Sequence, residues 1–189
     1  MKIISTEIKD LFIIQPEIYY DERGYFFESY NEEKFNEKFP HIKFCQDNES
    51  KSSFGVLRGL HYQLPPKAQT KLVRVIEGKV LDIAVDLRKG SPSFGKYFSI
   101  ELSEENKKQL LIPRGFAHGF LVLSDEAILS YKVDNFYDLK LERGIIYNDK
   151  ELKIDWKLNV SKVTLSSKDI KLPLLENSQL FDYSVNLYG

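Results

Sequence analysis

One histidine lies in the stretch of the chain from Ser53 to Arg88, and three of the cationic side chains in this stretch stand next to strand-like runs. His61 stands in this stretch, together with Arg58, Lys71 and Arg74. A histidine can exchange a proton near neutral pH, because its unperturbed pKa is about 6.5. Fixed cations beside it can stabilise negative charge that appears during a reaction. The stretch is therefore the first candidate for a site that does chemistry.

The sequence around these residues alternates between polar and apolar with the period of a β-strand. One alternating run covers residues 72–77, Gly78 interrupts it, and a second run follows over residues 80–87. A period of two that is split by a glycine predicts a β-hairpin or two successive antiparallel strands. We expect Arg74 to be an ordinary solvated charge, and Asp82 and Asp86 to be structural or to line the interior.

The totals for the whole chain favour one folded domain. The 189 residues are 42% hydrophobic, and the 13% of aromatic residues, mostly Phe and Tyr, favours strands. The net charge of −1 gives no sign of a nucleic-acid or membrane partner, so local cations must hold any anionic ligand. Cys45 is the sole cysteine, which rules out an internal disulfide. The start of the chain lacks the pattern of a signal peptide, and we expect a cytoplasmic protein.

Short apolar runs separated by Gly and Pro turns recur along the chain, whereas long helical periodicity is nearly absent. This pattern predicts an all-β sandwich or jelly roll with a few short helices. Asn31 can cap a short helix that presents Phe35 and Phe39 on one face and ends at Pro40. The other predicted elements are edge-strand material in residues 1–19, strands at 25–30, 97–102 and 127–133, a plain loop from Phe44 to Ser53, and a helix start at Ser166–Asp169.

Six longer motifs carry a family resemblance. They are DERGYFFESYN at 21–31, the block 46–95 that contains RGLHYQ, IPRGFAHGF at 112–120, SYKVDNFY at 130–137, ERGIIYND at 142–149 and LSSKD at 165–169. In these motifs and their order the chain closely resembles the dTDP-4-dehydrorhamnose 3,5-epimerases, a cupin-type jelly-roll family. The resemblance implies one jelly-roll epimerase domain over residues 1–189, with the segment from about 150 to 189 packing on the barrel.

The resemblance also implies a reaction. Enzymes of this family invert carbon 3 and carbon 5 of a nucleotide-linked 4-keto sugar by removing and returning protons alpha to the ketone. The implied substrate is of the dTDP-4-dehydro-6-deoxy-glucose type, in deoxysugar and surface-polysaccharide biosynthesis. We expect a homodimer with strand exchange at the active site, and neither a cofactor nor a metal.

Residue by residue, the resemblance implies distinct roles. His61 matches the general base, Asp169 the carboxylate that orients it, Tyr131 the acid that delivers a proton, and Lys71 the cation near the developing enolate. The matching substrate-binding positions are Arg23, Phe26 and Glu28, which reach in from the partner subunit, and Gln46, Asn48, Arg58, His118, Tyr137 and Glu142. Without the resemblance, most of these side chains could be structural; His118 could simply pack, and Asp169 could be a first-turn carboxylate.

One departure from the family pattern keeps two related activities open. Residues 138–141 read Asp-Leu-Lys-Leu, where the family usually has a Ser-Pro-Glu-like turn. The alternatives are an epimerase that acts at carbon 3 only, and a 3,5-epimerase of a GDP-linked 4-keto-heptose.

Two further alternatives are weaker. A metal-dependent cupin enzyme is disfavoured because the residue two positions after His61 is Gln63, so no His-x-His pair exists. A non-catalytic sugar-nucleotide-binding module would not need His61, Asp169, Lys71 and Tyr131 together.

Overall fold

The chain folds into two large antiparallel sheets that bury a common core, as the sequence predicts. The computed structural model describes residues 1–159 and 162–189. The six-stranded sheet has the order β1 (Lys2–Ser5), β2 (Phe12–Gln15), β11 (Gln109–Ile112), β7 (Lys71–Glu77), β13 (Glu126–Val133) and β5 (Gln46–Ser53). The five-stranded sheet has the order β10 (Tyr97–Ser103), β8 (Lys79–Asp86), β12 (Phe116–Val122), β6 (Leu57–Gln63) and β14 (Glu142–Gly144).

Smaller elements surround the two sheets. Strands β3 (Tyr19–Asp21) and β4 (Gly24–Phe26) form a hairpin, and β9 (Arg88–Lys89) pairs in parallel with β15 (Phe181–Asp182). The helical elements include α1 (Glu32–Asn36) and two 3₁₀ helices, Asp169–Lys171 and Leu175–Asn177. No helix in the described parts of the chain is both long enough and apolar enough to cross a membrane.

Strand β8 is buried along nearly its whole length because both of its faces are covered. Val80 and Ala84 point into the core between the two sheets, together with Val73 and Val75 of β7. The alternate residues of β8 point to the other side, where they pack with side chains from the last forty residues, namely Leu152, Trp156, Leu175 and Phe181. Each fully buried apolar side chain of this size stabilises the fold by roughly 1.5–3 kcal/mol.

The sequence pattern correctly predicts a strand on each side of Gly78 and the N-cap of the short helix. The two strands do not form the predicted hairpin, because β7 pairs with β11 and β13 in the six-stranded sheet and β8 pairs with β10 and β12 in the five-stranded sheet. Gly78 joins β7 to β8 with φ of 75°, and a Cβ atom there would lie 2.1 Å from the carbonyl oxygen of Glu126. Only glycine fits this turn. The Asn31 side chain accepts a hydrogen bond from the Lys34 amide, which is the predicted N-cap of α1. Phe35 belongs to this helix, and its side chain is fully buried.

Two further sequence predictions are wrong. Residues 46–53 are not a loop but form β5, which pairs with β13 over eight positions. The sequence pattern does not indicate this strand, because it lies at the edge of the sheet and is polar on both faces. It therefore lacks hydrophobic alternation. The predicted strand at 25–30 stops at Phe26. The chain then turns away, and Tyr30 packs against Phe35 and Phe44 instead of continuing the hairpin.

Candidate active site

A cleft of about 560 Å³ opens between the two sheets and receives residues from the C-terminal segment. Residues that are distant in sequence meet here because they lie on neighbouring strands, where alternate side chains point to the same face of the sheet. Strand β6 supplies five lining residues, β5 and β12 supply two each, and β7, β13 and β14 supply one each. The predicted site residues that line the cleft are Arg58, His61, Lys71, His118, Tyr131, Tyr137, Glu142 and Asp169.

His61 and Asp169 form a tight pair, although 108 positions separate them in the chain. His61 Nε2 lies 2.7 Å from Asp169 Oδ1, and Asp169 is almost completely buried. Burial by itself would raise the pKa of the Asp169 carboxyl, but hydrogen bonds from His61 and Ser166 lower it overall. The ionised carboxylate can only accept, so Nε2 carries the proton and Nδ1 of the neutral ring is left as the basic atom. No pattern in the sequence indicates that these two side chains meet; only the family resemblance implies it.

Lys71 is a buried ammonium in the same cleft. Only 9% of the residue is exposed, and its Nζ lies 5.9 Å from the centre of the Tyr131 ring. Burial lowers the pKa of Lys71 to about 8, while Asp82 and Glu142 oppose this effect. Burial raises the pKa of the Tyr131 phenol, and Arg58 partly offsets the rise. The cleft thus holds a weakly hydrated cation beside a phenol that keeps its proton near neutral pH.

His118 pairs with a buried carboxylate behind the cleft. It stands opposite His61 on the neighbouring strand, and its Nε2 lies 2.9 Å from Asp82 Oδ2. Burial lowers the pKa of His118, and the Asp82 carboxylate acts against this shift. Asp82 is fully buried, and its Oδ1 has no hydrogen-bond partner among the described residues. Asp86, by contrast, is fixed by Arg88 in a separate buried network away from the cleft.

Tyr137 and Glu142 close one side of the cleft. The Tyr137 hydroxyl donates to Glu142 Oε2 at 2.6 Å, and Lys168 Nζ lies 2.5 Å from the same oxygen. The hydrogen bond to Glu142 raises the pKa of Tyr137 to about 12. The turn that departs from the family pattern, residues 138–141, lies between these two residues in the chain. The side-chain oxygen of Gln63 accepts a hydrogen bond from the Asp138 amide at 2.6 Å. The altered turn is therefore anchored directly to a residue that lines the cleft.

Five predicted binding residues do not line this cleft. Gln46 and Asn48 lie next to it, since the Gln46 amide donates to Asn48 and its oxygen accepts from the Tyr137 backbone. The other three are on or just after the β3–β4 hairpin, and none of them lines the cleft of their own chain. Arg23 pairs with its neighbour Asp21, Phe26 is 67% exposed, and Glu28 pairs with Lys34.

Lys168 is a lining residue that sequence reasoning did not select. It lies directly before Asp169 in the LSSKD motif, and this position next to a candidate catalytic residue is the signal that could have identified it. Residues 1–159 and 162–189 contain no group of three or more His, Cys, Asp or Glu side chains arranged to hold a metal ion.

Comparisons with known proteins identify the family to which the chain belongs. The family model for dTDP-4-dehydrorhamnose 3,5-epimerase matches residues 5–177. The chain is 56% identical over 171 residues to the dTDP-4-dehydrorhamnose 3,5-epimerase of Shigella flexneri, covering 90% of this chain and 93% of that protein.

Two solved structures are also similar. One is the dTDP-6-deoxy-D-glucose-3,5-epimerase of Legionella pneumophila in complex with dTDP-4-keto-L-rhamnose. It is 47% identical with a TM-score of 0.93, covering 97% of this chain and 99% of that one. The other is a 3'-monoepimerase from Streptomyces bikiniensis in complex with dTDP-quinovose, 30% identical with a TM-score of 0.90, covering 95% and 93%. The chain belongs to the dTDP-4-dehydrorhamnose 3,5-epimerase family.

Proposed function

We propose that this protein inverts carbon 3 and carbon 5 of a dTDP-linked 4-keto-6-deoxy sugar, with His61 as the base. The observation that carries the proposal is the meeting of the His61–Asp169 pair, the buried Lys71 and Tyr131 in one cleft. Membership of the family and the identity of 56% to a named 3,5-epimerase support the same reaction.

The reaction begins with loss of a proton from a carbon beside the ketone. His61 Nδ1 accepts this proton, and the Asp169 carboxylate 2.7 Å from Nε2 stabilises the imidazolium that forms. A positioned general base of this kind contributes roughly 10²–10⁴ in rate. The electron pair of the broken C–H bond moves to the ketone oxygen and gives an enolate. No redox partner is needed, because the proton is later returned to the same carbon.

Lys71 and Tyr131 complete the inversion. The Lys71 ammonium stabilises the enolate oxygen, and burial makes this interaction stronger than it would be in water. Tyr131 then delivers a proton to the opposite face of the carbon, and the tyrosinate that results lies near the Arg58 guanidinium, which eases the loss of its proton. His118, held by Asp82 behind the cleft, supports the wall that carries His61.

The diphosphate of the substrate requires fixed cations at the mouth of the cleft. Arg58 and Lys168 are the lining cations placed for this task, together with the guanidinium of Arg23 from a second subunit. Arg23 and Phe26 support a homodimer with exchange of the β3–β4 hairpin, because both are highly exposed in a single chain and neither reaches its own cleft. The binding of dTDP-sugars by relatives fits this arrangement.

We also infer that the whole chain is one domain. Side chains of the last forty residues, such as Trp156 and Phe181, belong to the same buried cluster as Leu57 and Ile83 of the five-stranded sheet. Asp169, which the base requires, comes from this segment as well. The cytoplasmic location stays a prediction from the sequence.

The test is deuterium uptake from heavy water into three substrates, followed by NMR. They are a dTDP-linked 4-keto-6-deoxyglucose, its GDP-linked counterpart and a GDP-linked 4-keto-heptose. The proposal predicts uptake at carbons 3 and 5 of the dTDP sugar with inverted product. Uptake at carbon 3 alone would indicate a monoepimerase. Faster turnover of the GDP-linked 4-keto-heptose would contradict the proposal that the substrate is a dTDP-linked 4-keto-6-deoxy sugar. No uptake in any sugar, with binding intact, would indicate a binding module.

A further inference from the structure

Tyr188, in the last turn of the chain, contacts the end of one strand that carries a candidate catalytic residue and reaches the end of a second such strand through Arg114. Its hydroxyl lies 2.9 Å from Thr70 Oγ1 and accepts a hydrogen bond from the Arg114 amide at 3.2 Å. Burial raises the pKa of this phenol, so it keeps its proton and can donate to Thr70 while it accepts from Arg114. Tyr188 is therefore a bridge between parts of the chain that lie far apart in sequence.

Thr70 and Asp134 sit at the ends of the two strands. Thr70 directly precedes Lys71, the first residue of β7, and Asp134 directly follows β13, the strand that carries Tyr131. The Thr70 amide donates to Asp134 Oδ1 at 2.7 Å, one position beyond the last pair of the β7–β13 ladder. Thr70 is fully buried and Asp134 nearly so. This hydrogen bond therefore closes the ladder at the end where Lys71 projects into the cleft.

Arg114 joins the same group from the loop between β11 and β12. Its Nε donates to Asp134 Oδ2 at 3.1 Å, one of its terminal nitrogens donates to the Leu187 carbonyl at 2.7 Å, and its guanidinium carbon lies 4.7 Å from the centre of the Tyr188 ring. Thr70, Arg114, Asp134 and Tyr188 thus form a closed ring of contacts, which we call the strand-end clasp. One of its four members, Tyr188, lies beyond residue 177, where the match to the family model ends.

The neighbours of Thr70 show why the clasp bears on the active site. Gln69 and Lys71 both line the cleft, whereas Thr70 between them points to the clasp on the opposite side. A loosening of Thr70 therefore moves both flanking side chains. Lys71 is sensitive to such movement, because no ion pair or hydrogen bond of its ammonium is found in the described parts of the chain. Its position depends on its strand.

We propose that Tyr188 is a positioning residue, which acts through the strand-end clasp to hold Lys71 and Tyr131 in place relative to His61. The inference rests on the proposed function for the roles of Lys71 and Tyr131. The physical coupling between Tyr188 and the strand ends does not depend on that function.

The experiment compares Tyr188→Phe with Tyr183→Phe in the full chain. The first variant removes the clasp hydroxyl but keeps the ring that stacks on Arg114. The second removes a hydroxyl of the same segment that binds Lys9 and does not touch the clasp. Amide hydrogen exchange is followed at Thr70, Lys71 and Asp134 without substrate. In a second measurement, deuterium uptake at carbon 5 is divided by the amount of inverted product.

Tyr188→Phe is expected to raise exchange at the three amides about three- to ten-fold, the factor that corresponds to loss of one neutral hydrogen bond. It is also expected to raise the ratio of uptake to inversion, because a displaced Tyr131 returns protons to the second face less often. A mere loss of folded protein cannot change this ratio, since uptake and inversion occur on the same molecules. Tyr183→Phe should change neither quantity.

Unchanged amide exchange in Tyr188→Phe, equal to that of Tyr183→Phe, would overturn the clasp itself. Faster exchange with an unaltered ratio would show that the clasp is structural only and would overturn the positioning role. If the native chain takes up no deuterium in any sugar, the proposed function fails, and the amide measurement still decides whether the coupling exists.

Discussion

Replacement of Lys71 by methionine should stabilise the protein while it destroys activity. Methionine has a similar length and no charge, so it fills the buried position without the cost of desolvating an ammonium. A lysine whose pKa falls from 10.5 to about 8 on folding carries a penalty of roughly 3 kcal/mol wherever it is charged in both states. Below pH 8, Lys71→Met should therefore raise the free energy of unfolding by up to roughly 3 kcal/mol.

The sign of the pH dependence makes this prediction specific. Between about pH 8 and 10.5 the folded chain has lost the Lys71 proton, whereas the unfolded chain still binds it. The free energy of unfolding of the native protein should therefore rise with pH in this window, relative to the variant. The stability gap between Lys71→Met and the native protein should be largest near pH 7 and shrink as the pH approaches 10.5.

Urea unfolding at pH 7, 8, 9 and 10 measures this gap directly. Lys96→Met, which removes an exposed lysine, is the matched control and should follow the native pH dependence. Turnover of Lys71→Met should fall about 10²- to 10³-fold, as is usual for loss of one group that stabilises an oxyanion. A variant that is no more stable than the native protein at pH 7, or a gap that does not change with pH, would refute the reasoning about burial.

Two further substitutions test the other roles in the cleft. Tyr131→Phe should leave dTDP binding nearly unchanged but impair inversion at carbon 5; inverted product at the native rate would exclude Tyr131 as the acid. Arg23→Ala should weaken nucleotide binding more than it slows chemistry, as seen in a higher KM with a similar kcat. Because Arg23 is proposed to act in the partner's cleft, mixed dimers of Arg23→Ala and His61→Asn should contain one site with the native KM. Mixtures that show only the raised KM of Arg23→Ala would contradict hairpin exchange.

How far the sequence predicts this protein depends on which physical signal each element carries. Strands β7 and β8 could be predicted because hydrophobic alternation on each side of Gly78 marks them clearly, and α1 because Asn31 caps it. That the two strands enter different sheets is not visible in the alternation. Strand β5 could not be predicted in the same way, since an edge strand that is polar on both faces has no such alternation. Its pairing with β13 is what makes this segment a strand, and a single sequence does not show which strands pair.

The site shows the same division. Arg58, His61 and Lys71 are close in sequence and marked one another as candidates. The link from His61 to Asp169, by contrast, crosses 108 positions, and in the sequence only the family resemblance indicates it. In the structure, His61 Nε2 lies 2.7 Å from Asp169 Oδ1. The Asp82 carboxylate was expected to be structural, and its contact with His118 depends on two adjacent strands, β8 and β12.

The central claim is that His61 removes protons from carbon beside the ketone. Its most direct test is the rate of deuterium uptake from heavy water into dTDP-4-keto-6-deoxyglucose by the native protein and by His61→Asn, with dTDP affinity measured for both. The account predicts uptake at least about 10²-fold slower at carbons 3 and 5 in the variant, with unchanged affinity. Uptake at the native rate in His61→Asn would contradict it.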